Sequence, residues 1–164
     1  MRSTDEVLSG MEVAGRRVAV IDAHGHWEAS GTAEYLVDHG ASVELVTDRA
    51  EPGFGLEATN RAMFLHRARD KGIRMTPHTE VTSIDADGVA IFDVLNGTVG
   101  RIEPLDMVVP VWPRASRDDL YFQLVDRVAT LTAARPEILR IGDASAPRLL
   151  QTVLLEAHTK AMVL

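Results

Sequence analysis

The chain has 164 residues, of which 46% are hydrophobic and 25% charged, as is typical of a soluble globular domain with a buried core. Its formal net charge of −7, with no basic run, argues against nucleic acid and anionic membranes as partners. No apolar stretch reaches the roughly 18 residues of a membrane span. The N-terminal MRSTDEVLSGMEV lacks the apolar region of a signal peptide. We therefore expect a cytoplasmic protein.

The first half of the sequence predicts a parallel crossover. RRVAVID is a short apolar run, typical of a strand that is covered on both faces. A segment with apolar residues at helical spacing follows, Gly40 ends it, and ASVELVT resumes the strand pattern. A right-handed parallel connection is the default for such a unit. After a lead-in over 1–15, the predicted elements are a strand at 16–22, a helix at 27–39, a strand at 41–47, a helix at 56–71 and a short strand at 73–75.

The middle of the sequence predicts an antiparallel meander. Three alternating runs are separated by Asp-Gly and Asn-Gly, which are strong hairpin signals. The runs cover 78–85, 89–95 and 98–103, and they precede a buried strand at 105–112, a helical segment around 118–125, a strand running into a turn at 138–147 and a last helix over roughly 147–163. We therefore predict an α/β fold: a Rossmann-like three-layer domain with a central parallel sheet, an antiparallel three-stranded meander and a C-terminal helix.

The loop after the first strand departs from the dinucleotide-binding pattern. That pattern places G-x-G-x-x-G between strand and helix, so that the backbone approaches the pyrophosphate closely. Here DAHGHW stands at 22–27, and only Gly25 and Gly31 remain. The helix N-terminus still offers N–H groups and the positive end of a dipole, so an anion site remains one interpretation. Trp27 suits either an adenine ring or packing at an interface. The candidate residues of this region are Gly25, His26, Trp27, Ser30 and Thr32.

The end of the second strand is a further test of nucleotide binding. A dinucleotide-binding unit usually has an acid there that accepts from the ribose hydroxyls. This chain has Thr47, followed by Asp48, which would substitute for the acid, and Arg49, which would meet a 2′-phosphate or an adenine face. Three interpretations stay open: standard NAD(P) binding, an altered site for ADP or another adenine nucleotide, and a structural site that binds nothing.

The sequence predicts neither a metal site nor a catalytic residue. Asp22, His24 and His26 are of the right types for zinc or iron, but no further convergent ligand is evident. The chain has no cysteine, which excludes disulfides, thiol chemistry and cysteine-ligated zinc or iron–sulfur clusters from this chain. Isolated acid–base side chains on predicted helices are better explained as solvated; these are Glu34, Glu57 and His158.

Three stretches carry a family resemblance. AGRRVAVIDAHGHWEASGTAEYLVDHGASVELVT and LEATNRAMFLHRARDKGIRMTPHTEVTSID lie in the first half, and RIGDASAPRLLQTVLLEAHTKA lies near the end. The order of elements resembles the pyridine-nucleotide domain of glutathione-reductase-like flavoproteins. Together the stretches resemble the C-terminal end of the trimethylamine dehydrogenase and 2,4-dienoyl-CoA reductase group of Old-Yellow-Enzyme-like flavoenzymes.

The resemblance implies that a larger partner protein carries the redox cofactors. Members of this group have a barrel with FMN and a four-cysteine iron–sulfur cluster, then an FAD- or ADP-type domain into which an NAD(P)-type domain is inserted. This chain resembles the inserted domain, over 16–137, and a return segment from the end of the FAD domain, over 138–164. We therefore expect a small auxiliary subunit, with FMN and the cluster in a larger flavin/iron–sulfur partner subunit. The implied substrates are N-methylated amines or enoyl thioesters.

The resemblance also implies where a flavin would contact this chain. Gly142 and Asp143 resemble the Gly-Asp motif whose carboxylate accepts from the ribityl chain of FAD, and Ala144 adjoins them. FAD or ADP would then lie at the junction with the partner. The alternative is that Asp143 caps the helix that begins near Pro147. Two other functions stay open: delivery of hydride from bound NAD(P)H to a partner FAD, and a free-standing nucleotide-binding protein.

A proline- and tryptophan-rich stretch replaces the small Thr-Gly-Arg turn of many relatives. Pro110 within a strand pattern predicts an edge strand or a bulge. Trp112 and Pro113 follow it, and Arg114 is placed to keep the role of the arginine. An exposed Trp112 would be a suitable interface anchor.

Overall fold

A computed structural model describes residues 1–131 and 136–162, and it confirms the predicted α/β fold. The chain divides into two compact units, Met1–Pro113 and Arg114–Leu164. The strands are β1 (Arg17–Asp22), β2 (Ser42–Val46), β3 (Arg74–Thr76), β4 (Thr79–Ile84), β5 (Val89–Asp93), β6 (Val99–Ile102) and β7 (Met107–Val111). The helices are α1 (Thr4–Leu8), α2 (Trp27–Asp38), α3 (Ala58–Asp70), α4 (Asp119–Ala129) and α5 (Leu150–Ala161), with a 3₁₀ turn at Gly142–Ala144.

A four-stranded parallel sheet forms the centre of the first unit. Its strand order is β3-β2-β1-β7, and every neighbouring pair is parallel. Strand β1 lies between two neighbours and is buried from Val18 to Asp22, which explains its continuous apolar run. Strand β7 lies at the edge and contains Pro110, as predicted, because a proline has no N–H for a second ladder.

The unit has three layers, with the parallel sheet in the middle. Alternate strand residues face opposite sides of this sheet, so each face carries its own apolar cluster. Val18 and Val20 of β1 belong to the larger apolar cluster, together with Leu36 of α2 and Phe64 of α3. Ile21, the residue after Val20, belongs to a second cluster with side chains of β7 and of the meander. Helices therefore cover one face of the sheet, and the antiparallel meander covers part of the other.

The predicted meander is present as a separate sheet of order β4-β5-β6. The Asp93 carboxylate accepts from the amides of Leu95 and Asn96 at 2.8 and 3.1 Å, and Gly97 has a φ of +77°. These contacts explain why Asn-Gly predicted the turn between β5 and β6, since a positive φ is readily adopted by glycine.

The structure corrects one feature of the sequence analysis and adds another. The strand predicted over 138–147 is absent, and the 3₁₀ turn stands within that range. An isolated apolar run cannot become a strand without a neighbouring strand to complete its hydrogen bonds, and none pairs with it in the described part of the chain. The lead-in over 1–15 contains the short helix α1, which begins with a capping box formed by Ser3 and Glu6.

The family resemblance predicts a domain boundary between residues 137 and 138. The compact units of the structure instead meet after Pro113, because contacts within the chain divide there. The boundary at 137/138 stays a prediction. Residues 132–135 of the predicted nucleotide domain, and residues 163–164 at the predicted end of the last helix and return segment, lie outside the described residues. Across 1–131 and 136–162, no helix has both the length and the apolar character needed to cross a bilayer.

Candidate functional site

Asp22 is the centre of the loop cluster at the carboxyl end of the parallel sheet. It is the last residue of β1 and is fully buried. Its Oδ1 accepts from the Gly25 amide at 2.6 Å, and its Oδ2 accepts from the Gly53 amide at 2.9 Å. One carboxylate therefore holds two loops together: residues 23–26, named the first loop, and residues 51–56, named the second loop.

The two loops are in direct contact. The Gly55 amide donates to the Gly25 carbonyl at 2.8 Å. A Cβ atom on Gly55 would lie 2.8 Å from the ring of His26, and Gly25 has a φ of +76°. These positions require glycine for close backbone approach and for a positive φ. The glycines at 25 and 55 therefore serve contact between loops of the same chain.

The start of α2 brings only some of the predicted phosphate-binding residues together. His26 precedes the helix in an extended conformation, and its side chain makes no capping hydrogen bond. Trp27 follows it and is 49% exposed. Ser30 and Thr32 are fully buried, and their hydroxyls donate one turn back, to the carbonyls of His26 and Glu28 at 3.3 and 2.7 Å. Their hydroxyls thus satisfy helix carbonyls.

Of the candidate residues predicted at the end of β2, one is buried and two are exposed. Thr47 is buried, and its hydroxyl donates to the Asp22 carbonyl at 2.8 Å and accepts from the Arg49 amide at 3.3 Å. Asp48 and Arg49 are exposed and pair with each other at 3.3 Å. Thr47 therefore joins two strand ends, while the charged pair remains at the surface.

An open pocket of about 140 Å³ lies beside these residues, at the carboxyl ends of the parallel strands. Ligands of open α/β sheets usually bind at this edge. Its acidic lining is Asp22, Asp48 and Glu80, and no lysine, arginine or histidine is among the lining residues in the described part of the chain. Sequence reasoning missed the pocket because the meander residues that line it are distant in sequence. The remaining lining residues are Ile21, Ala23, Thr47, Thr79, Val81 and Trp112.

The two loop histidines do not form a metal site with Asp22. The rings of His24 and His26 meet edge to face, with centroids 5.0 Å apart. Both oxygens of Asp22 already accept backbone amides. Within the ranges the structure describes, no group of three or more histidine, aspartate or glutamate side chains is arranged to hold a metal.

The Gly-Asp motif forms a tight turn in the second unit. Gly142 is buried with a φ of +63°, and its amide donates to the Glu156 carboxylate at 3.0 Å. Asp143, followed by Ala144, is exposed, and its Oδ1 accepts from the Arg148 amide at a long 3.4 Å. This bond precedes α5 rather than capping its first turn, and the carboxylate remains exposed.

Two of the isolated acids have structural partners. Glu34 of α2 accepts two hydrogen bonds from Arg67 of α3, at 2.7 and 3.0 Å. Glu57 caps α3 by accepting from the amides of Thr59 and Asn60, and these bonds hold the pKa of Glu57 below its ordinary value. The partners account for both acids without a role in proton transfer.

Comparison with known proteins shows what this chain is similar to. Residues 27–95 match the family model for pyridine nucleotide-disulphide oxidoreductase. The chain is 28% identical to N,N-dimethylglycine/sarcosine dehydrogenase of Chromohalobacter salexigens, over 89% of this chain and 25% of that protein. It is 25% identical to dimethylamine dehydrogenase of Hyphomicrobium sp. (strain x), over 96% of this chain and 24% of that protein.

A solved structure agrees with the sequence comparisons. Histamine dehydrogenase from Rhizobium sp. 4-9 has a TM-score of 0.88 and 27% identity over 97% of this chain and 25% of that chain. The chain thus spans about a quarter of the length of these relatives. The resemblance drawn from the sequence is confirmed: residues 27–95 match the pyridine nucleotide-disulphide oxidoreductase model, and the chain is similar to the nucleotide-binding portion of trimethylamine dehydrogenase-like flavoenzymes.

Proposed function

We propose that this chain is an auxiliary subunit of a flavin-dependent oxidoreductase and has no complete active site of its own. A larger partner, similar to the barrel part of trimethylamine dehydrogenase, supplies FMN, the iron–sulfur cluster and the chemical step. The observation that carries the proposal is the match of nearly the whole chain to about a quarter of three amine dehydrogenases.

The second unit supplies a surface suited to such a partner. Gly142 is its one buried residue among 114–131 and 136–162. Helices that expose several leucine and phenylalanine side chains are typical of protein interfaces. We assign the exposed apolar side chains of α4 and α5, together named the apolar helix surface, to contact with the flavin-carrying polypeptide, because the relatives join an equivalent segment to a much longer flavoenzyme chain. Its residues are Leu120, Phe122, Leu124 and Val125 of α4, and Leu150, Leu154 and Leu155 of α5.

The family and its flavoenzyme relatives imply FAD-type nucleotide binding. The turn at Gly142 fits such a group, because it presents the Asp143 carboxylate on the surface with one long hydrogen bond. In the proposed assembly, Asp143 accepts a hydrogen bond from the ribityl chain, and FAD or ADP lies at the junction with the partner. The flavin supplies electron transfer, and the residues of this chain bind and orient it.

The relatives also suggest the substrate class of the assembly. Their names specify dimethylglycine or sarcosine, dimethylamine and histamine, all of which are amines. We propose an amine as the substrate of the partner's active site. Hydride delivery from NAD(P)H on this chain is the less favoured alternative, because the first and second loops are in contact where the pyrophosphate would lie.

The test is gentle purification from the native host through a tag on this chain, followed by native mass spectrometry and visible absorbance. A heteromeric mass with flavin and iron–sulfur absorbance is the expected result. A colourless species of this chain alone would contradict the proposal and favour the free-standing module. Detection of the tagged sequence within one large polypeptide would contradict the separate subunit. A saturable effect of NAD(P)H on the flavin spectrum would favour hydride delivery.

A further inference from the structure

The fold family implies a dinucleotide pyrophosphate at the carboxyl end of β1, next to the start of α2. Backbone amides that point towards the ligand normally hold this group. In this chain an internal carboxylate occupies the same end of the strand. Asp22 is fully buried there and accepts from two amides that belong to different loops.

The first loop and the second loop touch at Gly25, His26 and Gly55. Gly55 donates to the Gly25 carbonyl at 2.8 Å, and the position of its missing Cβ lies 2.8 Å from the His26 ring. Within the second loop, Gly53 is held at a φ of +68°, with its amide on Asp22 and the position of its missing Cβ 2.9 Å from Leu56. A phosphate group would have to separate the first loop from the second loop.

The negative charge of the carboxylates at this site also disfavours binding of a pyrophosphate. A pyrophosphate carries negative charge, and a buried carboxylate repels it more strongly than an exposed one because the surroundings screen less. The adjoining pocket adds the carboxylates of Asp48, which is paired with Arg49, and of Glu80, and its described lining residues include no lysine, arginine or histidine. The residues present therefore do not fit the dinucleotide that the family implies.

We propose that Asp22 is a specificity-determining residue that closes this site to NAD(P)H and other pyrophosphate ligands. Its carboxylate takes the backbone donors of the first and second loops and holds them together as a permanent internal substitute for the anion. The inference goes beyond the proposed function and does not depend on it, because it concerns loops within one unit of this chain. Its test therefore needs no flavin partner.

The first measurement uses the ¹⁵N-labelled full chain, titrated with inorganic pyrophosphate, ADP and NADH while the amide signals of Gly25 and Gly53 are followed. We expect no saturable shift of either amide with any of the three ligands. Saturable shifts of both amides with pyrophosphate or NADH would overturn the proposal, whatever the outcome of partner purification.

The second measurement compares Asp22→Asn with Asp93→Asn. Asp93 is a matched control, because its carboxylate also accepts from two backbone amides but lies in the meander turn. Asp22→Asn removes the charge and places an NH₂ donor opposite an amide donor. We expect amide exchange at Gly25 or Gly53 to accelerate about tenfold or more, and pyrophosphate to give saturable shifts at concentrations about tenfold below the highest one that leaves the wild type unchanged.

The control is expected to leave both amides and pyrophosphate binding unchanged. A folded Asp22→Asn protein, recognised by unchanged meander amide signals, that shows neither faster exchange nor tighter pyrophosphate binding would overturn the assignment. An equal gain in pyrophosphate binding in Asp93→Asn would also overturn it, because the effect would then reflect net charge alone. The wild-type titration remains decisive if Asp22→Asn does not fold.

Discussion

At the scale of single residues, the candidate site depends on Asp22 and on the glycines around it. The Asp22 carboxylate is satisfied by Gly25 and Gly53, and the Asp22 carbonyl accepts from the Thr47 hydroxyl. A buried carboxylate is costly unless its oxygens are hydrogen-bonded. The first and second loops therefore supply the donors for the Asp22 carboxylate, and the end of β2 supplies the donor for the Asp22 carbonyl.

Gly53→Ala should destabilise the protein. The substitution places a side chain at a φ of +68° and brings its Cβ to 2.9 Å from Leu56. The left-handed conformation alone costs about 1–2 kcal/mol for a residue other than glycine. We expect the free energy of unfolding, measured by urea denaturation, to fall by at least this amount.

Gly31→Ala is the matched control for Gly53→Ala. Gly31 lies within α2, and a Cβ there meets no atom within 4 Å. Alanine is better than glycine in a helix interior by roughly 0.5–1 kcal/mol, so the control should stabilise the protein. Equal effects of the two substitutions would contradict the described second loop.

The cap of α3 predicts a pH dependence of stability that can be assigned to Glu57. Hydrogen bonds from the amides of Thr59 and Asn60 lower the pKa of Glu57 in the folded protein. A lowered folded-state pKa gives a contribution that is present above the ordinary glutamate pKa of about 4.3 and is lost as pH falls through the lowered value. The decrease in melting temperature over this acidic range should be smaller in Glu57→Gln than in the wild type. An equal decrease in melting temperature with falling pH in the two proteins would contradict the role of Glu57 as the cap.

At the scale of elements, helices α2 and α5 differ in how their apolar residues are used. Leu36 and Ala33 of α2 are fully buried under the parallel sheet. Leu154 and Leu155 of α5 are 60% and 66% exposed. An apolar helix face without a core to cover contributes little to the stability of its own chain, which is why we assign α5 to the proposed partner interface.

Leu154→Glu should separate partner binding from folding. Because Leu154 is mostly exposed, we expect the free energy of unfolding of the isolated chain to change by no more than about 0.5 kcal/mol. Capture of the flavin polypeptide should be lost, because the new carboxylate would be buried against an apolar surface. Gln151→Glu, which adds a similar charge at an exposed α5 position, is the control and should retain capture. Loss of capture in both variants would point to charge rather than to the apolar helix surface.

At the scale of the whole molecule, burial is distributed unequally between the two units. Every buried apolar side chain in the described ranges lies in residues 1–113, in the clusters on the two faces of the parallel sheet or beside them. The second unit has ion pairs, such as Arg140 with Asp118, and no apolar core among its described residues. The hydrophobic contribution to stability, which follows buried apolar area, therefore belongs to the first unit.

A fragment of residues 1–113 should fold by itself. We expect cooperative urea unfolding with a free energy within about 1 kcal/mol of that of the full chain, since the fragment retains all the described core. Limited proteolysis of the full chain should first cut after residue 113, where few residues are buried. A fragment that lacks a cooperative transition would show that residues after 113 are necessary for the core.

The sequence alone determined the order of the elements from β1 to α4, the parallel and antiparallel sheets and the family resemblance, because each depends on local signals. Apolar runs, helical spacing and the Asp-Gly and Asn-Gly turns are read directly along the chain. It also located the altered glycine loop and the charged pair at the end of β2. It predicted a strand over 138–147 that is absent, because a strand needs a hydrogen-bonding neighbour and not only an apolar run.

Only the tertiary structure decided how the altered loop is used. The contacts of Asp22 with Gly53, and of Gly55 with Gly25, join residues about thirty positions apart, and no local pattern encodes such pairs. The pocket beside Trp112 arises in the same way, because the ends of β1, β2 and β7 meet the start of the meander. Loop packing and hydrogen-bond satisfaction depend on the whole fold, so the internal carboxylate became visible only with the chain folded.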